Sequence, residues 1–191
     1  IIPQGSILSP VFPENPDDCP AVAGGNVEVS QKLVDLVLSA FERVACSQGT
    51  MNNVTFGNQS YSHYETIGGG AGAKIGQEGT SAVQVHMTNT AITDPEILES
   101  RFPVRLLSFK IRTSSGGTGA WKGGNGIERE YIFEEASTLN LLTQNRKEGA
   151  NGMAGGSPGK PGEQFVIRKN GGRENLTSVQ SLTMHPGDRL I

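Results

Sequence analysis

Glycine is concentrated in three short stretches of this sequence. Six glycines lie in 68–79, six in 116–126 and six in 149–162, so these stretches hold 18 of the 26 glycines. Glycine serves where the backbone needs a positive φ or must come very close to another group. The glycines follow no Gly-X-Y period, which excludes a collagen-like chain. The three stretches are therefore expected to be loops, either as crossings of the chain or as walls of a ligand site.

The composition excludes several classes of protein. The chain has 191 residues, 35% of them apolar, with 16 basic and 19 acidic side chains and a formal net charge of −3. This length fits one domain or at most two small ones, and the apolar content is too high for a disordered chain. The charge balance gives no basic footprint for nucleic acid. No apolar run reaches the roughly 18 residues that a membrane span requires.

The start of the chain and its cysteines favour a piece of a longer cytoplasmic protein. The sequence begins Ile1-Ile2-Pro3, without an initiator Met or the pattern of a signal peptide. Cys19 and Cys46 are too few for a disulfide scaffold and lack the CxxC spacing of a zinc site. We therefore expect a cytoplasmic fragment with reduced cysteines.

Two helices are predicted. Apolar residues recur at three- and four-residue spacing over 27 to about 46, which predicts a long helix with Asn26 as its N-cap. Thr93 stands three residues before Glu96, in the pattern of a capping box that begins a second helix. Pro103 is expected to end that helix early.

The second half of the chain is predicted to be mainly antiparallel β. Turn residues at 170–172 predict a hairpin, and those at 185–188 predict a tight turn into a last strand. The fold class is therefore α+β, with a glycine-rich mixed segment over 1–103 that contains one long helix and a β-rich segment over 104–191. Strands are predicted at 104–111, 129–133, 139–143, 164–169 and 178–184.

Polar residues are dense between residues 48 and 90. Asn52 and Asn53 offer paired amide groups, which suit a planar amide or carboxylate ligand, although they also fit as caps of turns. Glu65 precedes a glycine run and fits either a general base or a surface carboxylate. His86 follows two alternating valines, which indicates a strand ending in a polar group. A single histidine is weak evidence for a metal site.

Nucleotide binding by the first glycine stretch is not supported. Residues 68–79 lack the GxxxxGK[ST] pattern of a phosphate loop, and no GxGxxG pattern follows a strand. The sequence also lacks the G-x-S-x-G elbow of a serine hydrolase. The residues alone therefore indicate a polar site between Gln48 and Asn89 without fixing its chemistry.

Five longer motifs, in this order, resemble the hydantoinase B/5-oxoprolinase family. The match runs nearly from end to end of the chain and includes the SGGxGxxxGGxG-like loop of that family. The motifs are VAGGNVEVSQ at 22–31, ACSQGTMNNVTFG at 45–57, YETIGGGAGA at 64–73, HMTNT at 86–90 with the residues following it through 104, and GGTGAWKGGNG at 116–126.

The resemblance implies ATP-dependent opening of a cyclic amide such as 5-oxoproline or a hydantoin. In that family a hydantoinase A-like subunit or domain binds ATP and Mg and activates the amide oxygen by phosphorylation, and the B part completes water attack and C–N cleavage. The resemblance also implies an oligomeric complex. The family's metal-binding motif lies upstream of this sequence, so a divalent metal is expected there, and the fragment alone is expected to be inactive.

The resemblance also suggests roles for particular residues. Glu65 and His86 are candidates for proton transfer or for supporting the upstream metal site. Asn52, Asn53 and Asn89 are candidates for holding an amide or carboxylate. Backbone N–H groups of the glycine loops, at Gly69 and Gly70, are candidates for approaching a developing oxyanion.

Two other functions remain open. Related members of the family carboxylate acetone or acetophenone, and Gln84 stands where the family commonly has a histidine, which puts substrate specificity in question. Alternatively, the β-rich segment serves mainly as an interface. An exposed apolar strip along its strands would favour an interface, whereas a cleft that gathers Asn52, Glu65, His86 and Asn89 would favour a catalytic site.

Overall fold

The computed structural model describes residues 27–191, and Cys19 and the expected Asn26 cap lie outside this range. Within it the chain forms two helices and nine strands. In chain order these are α1 (Val27–Ala40), β1 (Asn52–Gly57), β2 (Ser62–Ile67), α2 (Pro95–Arg101), β3 (Val104–Arg112), β4 (Gly126–Phe133), β5 (Ser137–Leu142), β6 (Phe165–Ile167), β7 (Arg173–Asn175), β8 (Val179–Met184) and β9 (Arg189–Leu190).

The strands form two antiparallel sheets that share one hydrophobic core. One sheet has the order β2-β1-β5-β8 and the other has the order β3-β4-β9-β6-β7. Phe56 of the first sheet meets Phe133 of the second at a ring-centre distance of 5.3 Å, nearly edge to face. Leu98 of α2 is fully buried in the same cluster. The predicted α+β class with antiparallel sheets is therefore confirmed.

The predicted strands of the second half correspond to β3, β4, β5, β6 and β8. The turn at 170–172 joins β6 to β7, and Gly171 there has a φ of +89°. The turn at 185–188 leads into β9. The hairpin of β1 and β2 had not been predicted. β1 also pairs with β5, so the segments 1–103 and 104–191 share a sheet. Their division into two units stays a prediction.

The first helix is shorter than predicted. It ends at Ala40 rather than near residue 46, because a Schellman-type turn closes it. In that turn the Arg43 N–H donates to Leu38 O at 3.0 Å, the Glu42 N–H donates to Ser39 O at 2.9 Å, and Glu42 has a φ of +52°.

The face that α1 turns inward is also not its apolar one. Gln31 and Asp35 are its buried residues. Leu36 is 63% exposed, and Phe41, just beyond the helix, is 72% exposed. The apolar spacing thus identified the helix but not the side that packs.

Two local predictions around residues 83–97 were wrong. His86 is not at the end of a strand: it lies in a turn with a φ of +56°, and only an isolated bridge joins Val83 to Gly69. The N-cap of α2 is Asp94 rather than Thr93, since the Asp94 carboxylate accepts from the N–H of Glu96 at 2.9 Å. An ionised carboxylate is a strong partner for the free N–H groups of a first helical turn.

Candidate functional site

The three glycine-rich stretches meet around one large cavity. Its volume is about 490 Å³, and its wall contains residues from all three stretches. Hydrogen bonds join the stretches directly through main-chain atoms: Gly124 N–H donates to Ala71 O at 2.9 Å, and Ser157 N–H donates to Thr118 O at 2.8 Å. The glycine loops are therefore both crossings of the chain and walls of a cavity.

Close backbone contact explains why these positions are glycine. A Cβ atom at Gly70 would lie 2.0 Å from the carbonyl oxygen of Gly124. One at Gly149 would lie 1.9 Å from the carbonyl oxygen of Gly159. Both distances are shorter than any contact a methyl group makes, and main-chain atoms cannot swing aside as a side chain can. The loops can pack this closely only without side chains.

One end of the cavity carries amide side chains. The Asn52 Oδ1 accepts a hydrogen bond from the Gln144 N–H at 3.2 Å, and its Nδ2 has no acceptor among residues 27–191. The Gln48 N–H donates to Gly70 O at 2.9 Å. The Gln48 side-chain Oε1 is buried without a donor in the described part of the chain. Within the described part of the chain this end therefore has one free amide donor, the Asn52 Nδ2, and one unpaired acceptor buried beside it, the Gln48 Oε1.

Glu65 lies in a buried network on β2 rather than on the cavity wall. Its Oε1 accepts from the Thr93 N–H at 2.7 Å, and its Oε2 accepts from the Tyr131 hydroxyl at 2.8 Å. Arg129 Nη1 lies 2.6 Å from the same Oε2. Burial alone would raise the pKa of Glu65, but the neighbouring His63, the Arg129 charge and these hydrogen bonds lower it to about 2. Glu65 is therefore ionised at neutral pH.

Arg129 is held by aromatic rings as well as by Glu65. Its Cζ lies 5.0 Å from the ring centres of both Phe109 and Tyr131. Its contact with Glu65 is an ion pair without well-directed hydrogen-bond geometry, and its Nε and Nη2 have no hydrogen-bond partner within residues 27–191. Glu65 and Arg129 compensate each other's charge, whereas either charge buried alone would be strongly destabilising.

His86 belongs to a second buried pair. Its Nε2 lies 2.8 Å from Asp35 Oδ1, and both side chains are about nine-tenths buried. The same Asp35 oxygen accepts from the Ser47 N–H at 2.9 Å. A Cβ atom at Gly49 would collide with the other Asp35 oxygen at 1.7 Å. Asp35 thus connects α1 to the loop that contains Ser47 and to the loop that contains His86.

The structure brings some of the candidate residues together and separates others. Asn52, Gly69 and Gly70 line the large cavity. Asn89 lines a second cavity of about 360 Å³, and Glu65 and His86 line neither of the two. Asn53 lies on the opposite face of β1 from Asn52, where its Oδ1 accepts from the Tyr64 hydroxyl at 2.8 Å.

The sequence did not single out Arg129, Tyr131 or Asp35. Arg129 is only 5% exposed, although a basic residue usually lies at the surface. One signal was present for Asp35, since it interrupts an apolar helical pattern. The residue it would pair with could not be inferred from that pattern.

The described residues provide neither a metal site nor a membrane helix. No group of three or more His, Cys, Asp or Glu side chains in 27–191 is arranged to hold a metal ion. None of the helices in this part of the chain has the length and apolar character that a bilayer span requires. The metal expected upstream stays a prediction.

Comparisons with known proteins point to one family. The sequence model of the Hydantoinase B/oxoprolinase family matches residues 1–191. The chain is 46% identical to 5-oxoprolinase 1 of Arabidopsis thaliana, over 99% of this chain and 14% of that protein. It is 44% identical to 5-oxoprolinase of Dictyostelium discoideum, over 100% of this chain and 15% of that protein. It therefore spans about a seventh of the length of these relatives.

Two solved structures share the fold. A nucleotide-free acetone carboxylase, studied for ATP-dependent acetone carboxylation, matches with a TM-score of 0.65 and 20% identity, over 77% of this chain and 25% of that one. An ATP-dependent caprolactamase from Pseudomonas jessenii matches with a TM-score of 0.62 and 20% identity, over 78% of this chain and 28% of that one. At this identity the likeness establishes the fold alone.

Proposed function

Because this chain belongs to the hydantoinase B/oxoprolinase family, we propose that it forms part of an ATP-dependent hydrolase that opens a cyclic amide of the 5-oxoproline or hydantoin type. The observation that carries this proposal is the identity of 44–46% with two 5-oxoprolinases over essentially the whole chain. An ATP-binding partner subunit or domain activates the amide oxygen. The chain described here then holds the ring during water attack and C–N cleavage.

The large cavity supports a small-molecule role. Its volume of about 490 Å³ lies within the range of roughly 300–1,000 Å³ that is usual for ligand pockets. A cyclic amide presents one carbonyl oxygen and one ring N–H. In this proposal the Asn52 Nδ2 donates to the oxygen, the Gln48 Oε1 accepts from the ring N–H, and the main-chain N–H of Gly70 lies close to the developing negative charge. The Gly69 N–H already donates to Val83 O at 3.2 Å and is not part of this group of donors.

Glu65 and His86 act through other residues in this proposal. Glu65 is already ionised and accepts from Thr93 and Tyr131, so it suits the positioning of those groups behind the cavity wall better than proton uptake. His86 holds its loop against α1 through Asp35. We offer both as positioning residues.

Two neighbouring asparagines provide the test of the cavity. In the full-length protein with its ATP-binding partner, Asn52→Asp keeps the acceptor for the Gln144 N–H and removes the free donor. We expect kcat/KM for 5-oxoproline, followed by ADP release, to fall about 100-fold, as for the loss of one oxyanion donor. The matched control, Asn53→Asp on the opposite face of β1, should change it less than about threefold. Equal losses in both variants would remove Asn52 from the site.

The same assay separates the reaction classes. ADP release that depends on 5-oxoproline or hydantoin supports the hydrolase. Release that depends only on acetone or acetophenone with bicarbonate would assign the protein to the carboxylases, whose fold this chain shares.

A second role as an interface is favoured by one observation. Leu107, Phe109 and Ile111 on β3 are each nearly half exposed, at 46%, 46% and 47%. β3 is also an edge strand of its sheet. We propose that this strip contacts another part of the complex. Leu107→Lys in the full-length protein should then weaken assembly with the ATP-binding partner, measured by light scattering, and unchanged assembly would contradict this.

A further inference from the structure

The large cavity carries an excess of positive charge. Of the two carboxylates in its wall, Glu128 lies 2.8 Å from Lys110 and Glu163 lies 2.6 Å from Arg112, so both are already paired. A concave site with unpaired cations raises the local concentration of anions. Among the described residues its wall contains five basic side chains, Lys74, Arg112, Arg129, Arg146 and Lys160, and two acidic ones, Glu128 and Glu163.

Arg146 is the basic residue in this wall whose position most needs explanation. It is partly buried, and no carboxylate of residues 27–191 lies within ion-pair distance of it. Its Nε donates to Gln164 Oε1 at 3.0 Å and its Nη1 donates to Gln144 O at 2.6 Å, both neutral acceptors. Burial and the neighbouring charge of Arg112 lower the pKa of Arg146 to about 10. A cation in such a place is stabilised when an anion joins it.

The surroundings of Arg146 fix its side chain in place. The guanidinium packs directly against Gly162, where a Cβ atom would lie 2.2 Å from its Nη1, and its two hydrogen bonds hold it there. With Nε and Nη1 engaged, its Nη2 has no acceptor among the described residues. The Nη2 group can then donate a charge-assisted hydrogen bond to an anion such as a carboxylate.

Arg146 is adjacent to the amide end of the cavity. The Gln144 N–H donates to Asn52 Oδ1 at 3.2 Å, and the Asn145 Nδ2 donates to Gln48 O at 3.0 Å. The two residues that precede Arg146 are therefore bonded to the Asn52 side chain and to the Gln48 main chain. A small ligand can then place a ring amide at one group and an anionic substituent at the other.

We propose that Arg146 binds the carboxylate of the substrate, so that the cavity selects a cyclic amide bearing a carboxylate over an uncharged ring. This inference rests on the proposed function and narrows it. 5-Oxoproline carries such a carboxylate on its ring, whereas hydantoin and acetone carry none. Arg146 is thus a specificity-determining residue, and Arg112 adds to the positive potential around it.

Binding to the full-length protein tests the proposal directly. Calorimetric titration with 5-oxoproline and with its neutral carboxamide, 5-oxoprolinamide, compares ligands that differ only in the charged group. We expect the wild-type protein to bind the acid at least about 10-fold more tightly, as for a charge-assisted hydrogen-bonded pair. Arg146→Met should abolish that preference by weakening the acid alone, and Arg146→Lys should keep part of it.

A control and the wild-type comparison keep the test decisive. Arg105→Met removes an arginine that is largely exposed and paired with Glu134 at 2.7 Å, outside the cavity wall, and should leave both affinities unchanged.

If Arg146→Met does not fold, the preference of the wild-type protein for the acid over the carboxamide still tests the proposal. A wild-type protein that turns over 5-oxoproline but binds acid and carboxamide equally overturns this inference alone. A wild-type protein that binds neither ligand and releases no ADP overturns the proposed function with it. Equal loss of both ligands in Arg146→Met also contradicts the carboxylate role.

Discussion

Gly70→Ala probes the contact between two glycine loops. The added Cβ would lie 2.0 Å from the carbonyl oxygen of Gly124, and ordinary contact begins at 3.4 Å. The loops must therefore separate by more than 1 Å at this point, since a main-chain carbonyl cannot rotate away. The hydrogen bond from Gly124 N–H to Ala71 O, 2.9 Å long, crosses the same contact.

The magnitude follows from these contacts. The hydrogen bond contributes about 1 kcal/mol, and forcing extra volume into packed structure costs about 1–3 kcal/mol. We expect the free energy of unfolding of the 191-residue chain to fall by about 3 kcal/mol, which is about 9 °C in Tm for a chain of this size. Urea unfolding followed by circular dichroism measures the loss. Trp121, the single tryptophan, lies in the second glycine stretch and reports separation of the loops by its fluorescence.

Gly126→Ala is the matched control. Gly126 lines the same cavity, but a Cβ there would lie 3.7 Å from the Ser115 Oγ, which is an ordinary contact. We expect it to change the unfolding free energy by less than about 0.5 kcal/mol. If Gly126→Ala is as destabilising as Gly70→Ala, or if Gly70→Ala is neutral, close backbone contact is not what holds these loops together.

Two further predictions concern stability. The folded-state pKa of Glu65 is about 2 against an ordinary value of 4.5, so its ionised form stabilises the fold above 4.5, and that stabilisation is lost as the pH falls from 4.5 to about 2. This contribution is about 3 kcal/mol. The unfolding free energy of Glu65→Gln, measured across that pH range, should therefore fall less than that of the wild type. Identical dependence of the unfolding free energy on pH in both proteins would contradict the buried ion pair. Asp94→Ala should cost about 1 kcal/mol in urea unfolding by removing the cap of α2, whereas Thr93→Ala should cost less; the reverse order would restore Thr93 as the cap.

The strands of the second half were predictable because their inward residues are apolar. Leu139 and Leu141 of β5 alternate with exposed positions, so the period of two is visible in the sequence. In β2 the inward residues are His63 and Glu65, and the pattern that marks a half-buried strand is absent. In β1 the apolar residues Val54 and Phe56 alternate and are followed by turn residues. This hairpin could therefore have been predicted from the sequence.

The candidate site was predictable only in part. The density of amides and glycines led to Asn52, Gly69 and Gly70, which lie in the cavity wall. The partners of the charged residues were not predictable, because they come from distant parts of the chain. Glu65 meets Tyr131 from 66 positions away, and His86 meets Asp35 from 51 positions away. No local pattern specifies such pairs, since the packing of the two sheets and α1 creates them.

The glycine walls have a consequence for the thermodynamics of binding. A ligand in an ordinary pocket immobilises the side chains it touches, at about 0.5–1.5 kcal/mol for each flexible one. Main-chain atoms that are already fixed by hydrogen bonds between loops have no rotamers to lose when a ligand enters. The conformational entropy lost on binding should therefore fall on the few side chains at the amide end. How well these side chains are already ordered in the ligand-free protein would then decide how tightly the ligand binds.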